Sequence, residues 1–162
     1  MRKRPDLLDI PVPCVVFMDD MEGNRQAFQA AFRRDIKVLL AHNPASLWSL
    51  LSKHAVHVVI ADQRMPGMSG DRVLAAVRTK YPRIRRMLVT AYTDMNAVVT
   101  AMNESGATYY IQKPWDEAEV KAAILRSVAA FQVEAEQQAW LERLGKSNRQ
   151  LSDALDHYRR AS

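Results

Sequence analysis

The sequence has few of the residues that would place it in several large protein classes. It contains a single cysteine, Cys14, which excludes an internal disulfide bond and is typical of a reducing cytoplasm. It also lacks any uncharged apolar stretch near the roughly 18 residues that a membrane span requires. The apolar run 12–18 contains Pro13 and ends in Asp19-Asp20, so it predicts a strand rather than an export signal.

Metal-ligand and nucleic-acid motifs are also missing. The four histidines show no metal-binding spacing, and neither a zinc-ligand pattern nor a basic recognition helix is present. The net charge is +5, but the acidic and basic residues of 131–162 balance, so the excess lies in 1–130 and begins with Arg2-Lys3-Arg4. We therefore predict a solvated basic surface, with no direct binding of nucleic acid or membrane.

Short apolar runs alternate with helical patterns over the first 115 residues. The composition, 48% hydrophobic and 25% charged, is that of an ordinary globular domain. The gaps between the runs show helical spacing and are long enough for crossover helices. This alternation predicts a doubly wound α/β fold with a five-stranded parallel sheet. The predicted strands are Cys14–Met18, Lys37–Ala41, Val56–Ala61, Met87–Val89 and Tyr109–Ile111.

After residue 114 the sequence becomes helical in character. The segment 115–144 contains neither glycine nor proline, which predicts a fifth helix running out of the domain, over 116–158. We expect a tail at 1–11, the domain at 12–130, and a helical or coiled-coil extension or linker at 131–162.

Apolar residues of this extension repeat at heptad spacing, so we expect it to pair two chains into a homodimer. Leucine and asparagine occupy the a positions, where an asparagine sets the register of parallel dimers. Gly145 and a capping box at Ser147–Gln150 leave open a second, separate helix. The a positions are Leu141, Asn148 and Leu155, and the d positions are Leu144, Leu151 and Tyr158.

Polar residues that carry chemistry stand at the ends of the predicted strands. Asp19 and Asp20 follow strand 1, Asp62 follows strand 3, Thr90 closes strand 4 and Lys113 closes strand 5. The carboxyl ends of parallel strands share one edge of the sheet, where open α/β proteins bind ligands. Three converging carboxylates repel one another and favour a cation, and Mg²⁺ suits such oxygen ligands. A carboxylate beside Mg²⁺ and a lysine is also a plausible phosphoryl acceptor.

These residues resemble the receiver domain of two-component response regulators. The resemblance covers about residues 12–130 and rests on the acidic pair, on Asp62 followed by Met65-Pro66-Gly67-Met68-Ser69-Gly70, on Thr90-Ala91 and on Lys113-Pro114. It implies the strand order 2-1-3-4-5. It also implies a cytoplasmic phosphorelay protein. Such a protein is not an enzyme, and it catalyses only its own phosphorylation and dephosphorylation.

The resemblance also implies a role for each site residue. Asp62 would accept a phosphoryl group from a sensor histidine kinase or phosphotransfer protein. Asp20, Asp62 and the backbone carbonyl of Arg64 would bind Mg²⁺, with Asp19 acting largely through water. Lys113 would contact the phosphoryl group, and the bond to Pro114 would be cis.

Four side chains take further roles from the same resemblance. Thr90 would swing inward to hydrogen-bond the phosphoryl group, and Tyr110 matches the aromatic residue that turns inward with it. Arg64 and Tyr92 are large at positions that border the path of the hydrolytic water. We therefore expect slow self-dephosphorylation.

Two questions stay open at this stage. Aspartyl phosphatases of the haloacid dehalogenase type also combine an aspartate, a hydroxyl, a lysine and Mg²⁺, but their nucleophile follows the first strand in an Asp-x-Asp pattern. The second question is how the receiver passes its signal on. We expect the chain to be the N-terminal part of a longer regulator, switched through the face of helix 4, strand 5 and helix 5. The alternative is a stand-alone receiver that signals by protein contact.

Overall fold

The computed structural model describes residues 12–91 and 95–161, so the predicted tail 1–11 and Tyr92 lie outside the described residues. The chain divides into two units, with the boundary between Ala129 and Ala130. The elements in chain order are β1 (Cys14–Met18), α1 (Glu22–Phe32), β2 (Lys37–Ala41), α2 (Pro44–Lys53), β3 (Val58–Asp62), α3 (Gly70–Lys80), β4 (Arg85–Thr90), α4 (Met95–Ser105), β5 (Tyr109–Gln112) and α5 (Glu117–Ala161).

The first unit is built on one sheet of five parallel strands. The order is β2-β1-β3-β4-β5, which confirms the predicted doubly wound α/β fold. Strands β1 and β3 are neighbours, with Met18 opposite Ala61, and Asp62 lies opposite Val89 on β4. The carboxyl ends of β1, β3 and β4 therefore meet at the same edge of the sheet.

Helices cover both faces of the sheet, as the helical stripes predict. On one face, α1 and the first turns of α5 pack Phe28, Phe32, Ile124 and Val128 against the strands. On the other face, α2, α3 and α4 contribute a second cluster that includes Leu47, Leu51, Val73, Leu74, Val77 and Ala101. The three central strands β1, β3 and β4 are buried on both sides, which explains why they appear in the sequence as apolar runs.

Local sequence chemistry sets several helix starts. Asn43 and Pro44 set the start of α2: the side chain of Asn43 accepts a hydrogen bond from the Ser46 amide at 2.8 Å, and Pro44 occupies the first helical position. At the start of α5, Asp116 Oδ1 accepts a hydrogen bond from the Glu119 amide at 2.9 Å. The end of β5 is therefore followed almost at once by a capped helix.

Three strands differ from the prediction at their ends. Strands β3, β4 and β5 each extend one residue further than predicted, to Asp62, Thr90 and Gln112, and β3 and β4 also begin at different residues. Strand β3 begins at Val58 rather than Val56, because the Cys14 amide donates to His57 Nδ1 at 3.0 Å instead of continuing the ladder. Strand β4 begins at Arg85 rather than Met87 and includes the buried Arg86. The guanidinium of Arg86 donates to the carbonyl oxygens of Gly106, Pro82 and Ile84 at 3.1, 3.3 and 2.6 Å. These hydrogen bonds offset the free-energy cost of burying a charged side chain.

The second unit consists of the remainder of α5. The helix continues through Gly145 to Ala161, so the separate helix considered at Ser147 does not form. All six predicted a and d side chains are partly or fully exposed in the single chain. Within the described residues, no helix is both long and apolar enough to cross a membrane.

Candidate functional site

Three aspartates converge at the carboxyl edge of the sheet. Asp19 and Asp20 lie in the turn after β1, Asp62 is the last residue of β3, and each offers a carboxylate oxygen within 4.8 Å of the others. Asp19 is completely buried and Asp62 is only 6% exposed, whereas Asp20 is exposed to solvent. Carboxylates this close repel one another strongly unless cations compensate them. The site therefore favours a cation at the exposed side of the cluster.

Lys113 supplies one of the compensating charges. Its Nζ lies 2.8 Å from Asp62 Oδ1 and 3.5 Å from Asp19 Oδ2. The Lys113 amide donates to the Thr90 carbonyl oxygen at 2.9 Å, which ties the end of β5 to the end of β4. The bond between Lys113 and Pro114 is cis, as predicted.

The pKa of Asp62 reflects these competing influences. Burial is the largest of them and raises the pKa of the Asp62 carboxyl above its ordinary value. The hydrogen bond and charge of Lys113 lower this pKa, while the charges of Asp19 and Asp20 raise it again. A further cation beside the cluster would favour the ionised, nucleophilic form of Asp62.

Residues at the start of α1 hold the acidic pair in place. Asp19 Oδ1 accepts a hydrogen bond from the Met21 amide at 2.9 Å, and Asp19 Oδ2 accepts one from Asn24 Nδ2 at 3.0 Å. Arg25 Nη1 donates to the carbonyl oxygens of Asp19 and Asp20 at 2.8 and 3.0 Å. Asn24 and Arg25 were not predicted as site residues, because an asparagine and an arginine on an amphipathic helix normally face solvent.

Thr90 lies beside the acidic cluster on the neighbouring strand. It is buried at the end of β4 and lines a cavity of about 690 Å³, bounded by the loop after β3, by β4 and by α4. Arg64 also lines this cavity and is exposed. The structure thus places a hydroxyl and a long cationic side chain on one cavity, next to the end of β3 that carries Asp62.

Tyr110 lies away from this cavity in the present structure. It is half-buried on β5 and lines a separate cavity of about 360 Å³ at the β5–α5 corner. Its hydroxyl donates to Gln112 Oε1 at 3.3 Å and lies 4.0 Å from Met95 Sδ. Thr90 and Tyr110 are thus on neighbouring strands but line different cavities.

An aromatic cluster supports the loop that follows Lys113. The Trp115 ring packs edge-on against Phe17 of β1 and Phe28 of α1, with centroid distances of 6.4 and 5.8 Å. Phe17 and Phe28 stack on each other at 4.1 Å. Because Trp115 is two residues from Lys113, this packing fixes the loop that carries the lysine.

Comparison with known proteins identifies the family. The family model described as the response regulator receiver domain matches residues 15–125. The chain belongs to this family. The position of Asp62 at the end of the third strand and this match together exclude the haloacid dehalogenase alternative, whose nucleophile follows the first strand.

The relatives of this receiver are parts of longer proteins. The hydrogenase transcriptional regulatory protein HoxA of Bradyrhizobium diazoefficiens is 30% identical over 122 residues, covering 75% of this chain and 25% of HoxA. The DNA-binding transcriptional regulator NtrC of Escherichia coli K12 is 33% identical over 90 residues, covering 56% of this chain and 19% of NtrC. The receiver thus spans about a quarter or less of the length of these relatives.

Solved receiver structures share the fold. The signal receiver domain of an HD domain-containing protein from Pseudomonas fluorescens Pf-5 has a TM-score of 0.70 and 26% identity, and the match covers 75% of this chain and 98% of that one. The chemotaxis protein CheY4 of Vibrio cholerae has a TM-score of 0.66 at 23% identity, covering 72% and 98%. Receiver domains are signalling domains that take phosphoryl groups from histidine kinases and bind Mg²⁺ in an acidic pocket. In this chain Asp19, Asp20 and Asp62 form an acidic cluster that could hold a metal ion.

Proposed function

We propose that Asp62 of this receiver accepts a phosphoryl group from the phosphohistidine of a sensor histidine kinase or phosphotransfer protein. The observation that carries the proposal is the 2.8 Å contact between Lys113 Nζ and Asp62 Oδ1 inside the acidic cluster. An Asp62 carboxylate oxygen attacks phosphorus, the P–N bond to the donor imidazole breaks, and its electron pair returns to the imidazole. The product is an aspartyl phosphate on this chain.

Side chains around Asp62 have distinct tasks in this step. Lys113 neutralises charge on the phosphoryl oxygens, where cations are most effective. Thr90 supplies a hydroxyl donor to the phosphoryl group from the neighbouring strand, and Tyr110 turns inward as Thr90 moves. The resulting change in the face formed by α4, β5 and α5 passes the signal on.

The acidic cluster has the chemistry of a Mg²⁺ site. Its carboxylate oxygens lie within 4.8 Å of one another, and such hard oxygen ligands suit Mg²⁺. Asp20, Asp62 and the Arg64 carbonyl would hold the ion directly, with Asp19 acting through water. When bound, the ion supplies positive charge to the carboxylates and to the transferred phosphoryl group.

Labelling by a small phosphodonor tests the proposal. Incubation with acetyl phosphate and Mg²⁺ should add one phosphoryl group to the intact mass, and chelation of the metal should prevent it. Asp62→Asn should abolish the label. Asp35→Asn, which replaces an exposed aspartate paired with Lys121, is the matched control and should retain the label. A label that persists in Asp62→Asn contradicts the assignment.

We also propose that residues 12–130 form the receiver and that 131–162 form an extension that pairs two chains. The exposed a and d positions, called the seam below, support the pairing: Leu141, Leu151 and Leu155 are each more than half exposed in the single chain. Asn148 supports a second copy of the same chain as the partner, because an asparagine at an a position is best satisfied by its own counterpart. The expectation of a longer regulator stays a prediction, and sequencing the gene past codon 162 tests it.

A further inference from the structure

Asn24 and Lys113 approach the same oxygen atom. Asn24 Nδ2 donates to Asp19 Oδ2 at 3.0 Å, and Lys113 Nζ lies 3.5 Å from that oxygen. A carboxylate only accepts hydrogen bonds, so the amide nitrogen of Asn24 is the atom that must face it. The shorter contact belongs to Asn24, and the longer one lies outside hydrogen-bond distance.

Because Asp19 receives hydrogen bonds from other groups, it does not need Lys113 as a donor, and Lys113 can pair with Asp62. Asp19 is completely buried, and a buried carboxylate oxygen without a donor is costly. The Met21 amide satisfies Oδ1 and the Asn24 amide satisfies Oδ2. Lys113 Nζ is then free to lie 2.8 Å from Asp62 Oδ1.

We propose that Asn24 is a positioning residue that keeps Lys113 on the Asp62 carboxylate. By supplying a donor to Asp19 Oδ2, it prevents the buried carboxylate from drawing the ammonium group away. This inference rests on the proposed phosphoryl transfer to Asp62, in which Lys113 stabilises the phosphoryl oxygens. Asn24 itself does not touch the reacting atoms.

Removal of the amide should shift the lysine. In Asn24→Leu, which has a similar volume and no donor, Asp19 Oδ2 loses its neutral partner and Lys113 becomes the nearest donor. Lys113 Nζ should then move within about 3.2 Å of Asp19 Oδ2 and away from Asp62. Labelling by acetyl phosphate at saturating Mg²⁺ should slow by about tenfold, since a charge-assisted hydrogen bond is weakened.

A double-mutant cycle separates positioning from a general structural effect. Labelling rates are measured for wild type, Asn24→Leu, Lys113→Gln and the double variant. If Asn24 acts through Lys113, Asn24→Leu should change the rate by less than about twofold in the Lys113→Gln background. A merely structural role would slow both backgrounds equally and would overturn the proposal.

Matched controls and a structural measurement complete the test. Gln26→Leu removes an exposed amide of the same helix, which donates to Glu22 at 3.1 Å, and should label as wild type does. Asn24→Ala, which also has no donor, replaces Asn24→Leu if the leucine variant fails to fold. A crystal structure of the variant locates Lys113 even if Lys113→Gln labels too slowly for the cycle. Lys113 still at Asp62, as in the wild type, overturns the proposal.

Failure of the phosphoryl-transfer proposal has a different signature. A wild-type chain that takes no label at Asp62 contradicts that proposal, whereas the position of Lys113 in the Asn24→Leu crystal still decides whether Asn24 holds the lysine. Wild-type labelling with an unchanged rate in Asn24→Leu contradicts only the role of Asn24.

Discussion

Gly70 at the start of α3 approaches the backbone of Asp62 so closely that a Cβ atom on Gly70 would lie 2.3 Å from the Asp62 carbonyl oxygen. The Gly70 amide also donates to the Gln63 carbonyl oxygen at 3.1 Å. Any side chain at position 70 would therefore displace either the end of β3 or the first turn of α3. The geometry of Asp62 depends on this close approach.

Gly70→Ala should destabilise the receiver. The added methyl group meets backbone rather than a flexible side chain, so we expect the free energy of unfolding to fall by about 2 kcal/mol, the usual cost of overpacking. Urea denaturation measures this change. The control is Gly23→Ala on α1, where an added Cβ meets no atom within 4 Å and should stabilise the helix by about 1 kcal/mol. Equal stabilities for the two variants would contradict the close-approach argument.

The stability of the receiver should depend on pH through His57. Burial lowers the pKa of the His57 imidazole below its ordinary value of 6.5, so the unfolded chain binds a proton before the folded chain does. The contribution of His57 to the free energy of unfolding is therefore complete above pH 6.5 and decreases as the pH falls below it. The neutral ring is the form that accepts the hydrogen bond from the Cys14 amide.

Replacement of His57 should reduce this pH dependence. His57→Gln keeps an acceptor for the Cys14 amide but does not titrate, so its unfolding free energy should fall less than that of wild type between pH 7 and pH 5. Chemical denaturation at each pH gives the comparison. His42→Gln, at an exposed position, should behave as wild type does. Parallel pH curves for wild type and His57→Gln would contradict the prediction.

Loss of the phosphoryl group should be slow because of two large side chains. Arg64 is exposed and lines the cavity beside Thr90. Tyr92 lies outside the described residues, and by the family resemblance alone it matches the second position that borders the water path. We expect Arg64→Ala combined with Tyr92→Ala to speed decay of the labelled protein several-fold, measured by intact mass after removal of the phosphodonor. Unchanged or slower decay would count against shielding.

The extension should determine the oligomeric state. Light scattering at tens of micromolar should give a dimer for the full chain and a monomer for a chain truncated after Phe131. Leu151→Glu introduces a charge at a d position and should yield a monomer. Gln150→Glu introduces the same charge on the adjacent residue, outside the seam, and should leave the dimer intact. A monomeric full chain, with and without beryllofluoride, would exclude pairing.

The fold was largely predictable because its three central strands, β1, β3 and β4, are buried on both faces. The Val- and Ile-rich runs stand out against the helical stripes, so all five strands could be located to within two residues at each end. The strand order came from the family resemblance rather than from periodicity. Arg86 was missed as a strand residue because hydrophobic patterning treats every arginine as exposed, and its carbonyl partner Gly106 is distant in sequence.

The candidate site was predictable only where the chemistry lies at strand ends. Asp19, Asp62 and Lys113 could be placed together because the carboxyl ends of parallel strands lie at one edge of the sheet. Asn24 and Arg25 could not be placed in the site from the sequence. Their contacts with Asp19 depend on how α1 is oriented relative to the acidic pair that precedes it. Side-chain donors to a buried carboxylate have no sequence pattern of their own.

The packing of Trp115 against Phe17 and Phe28 gives the protein a built-in optical probe. An indole emits according to the polarity and mobility of its surroundings, and this one is joined to Lys113 through a single proline. The chain has three tryptophans, and replacing Trp48 and Trp140 by phenylalanine would leave an emitter only at the site. Metal binding and phosphoryl transfer could then be followed in real time, on unlabelled protein, from the intensity and wavelength of one residue.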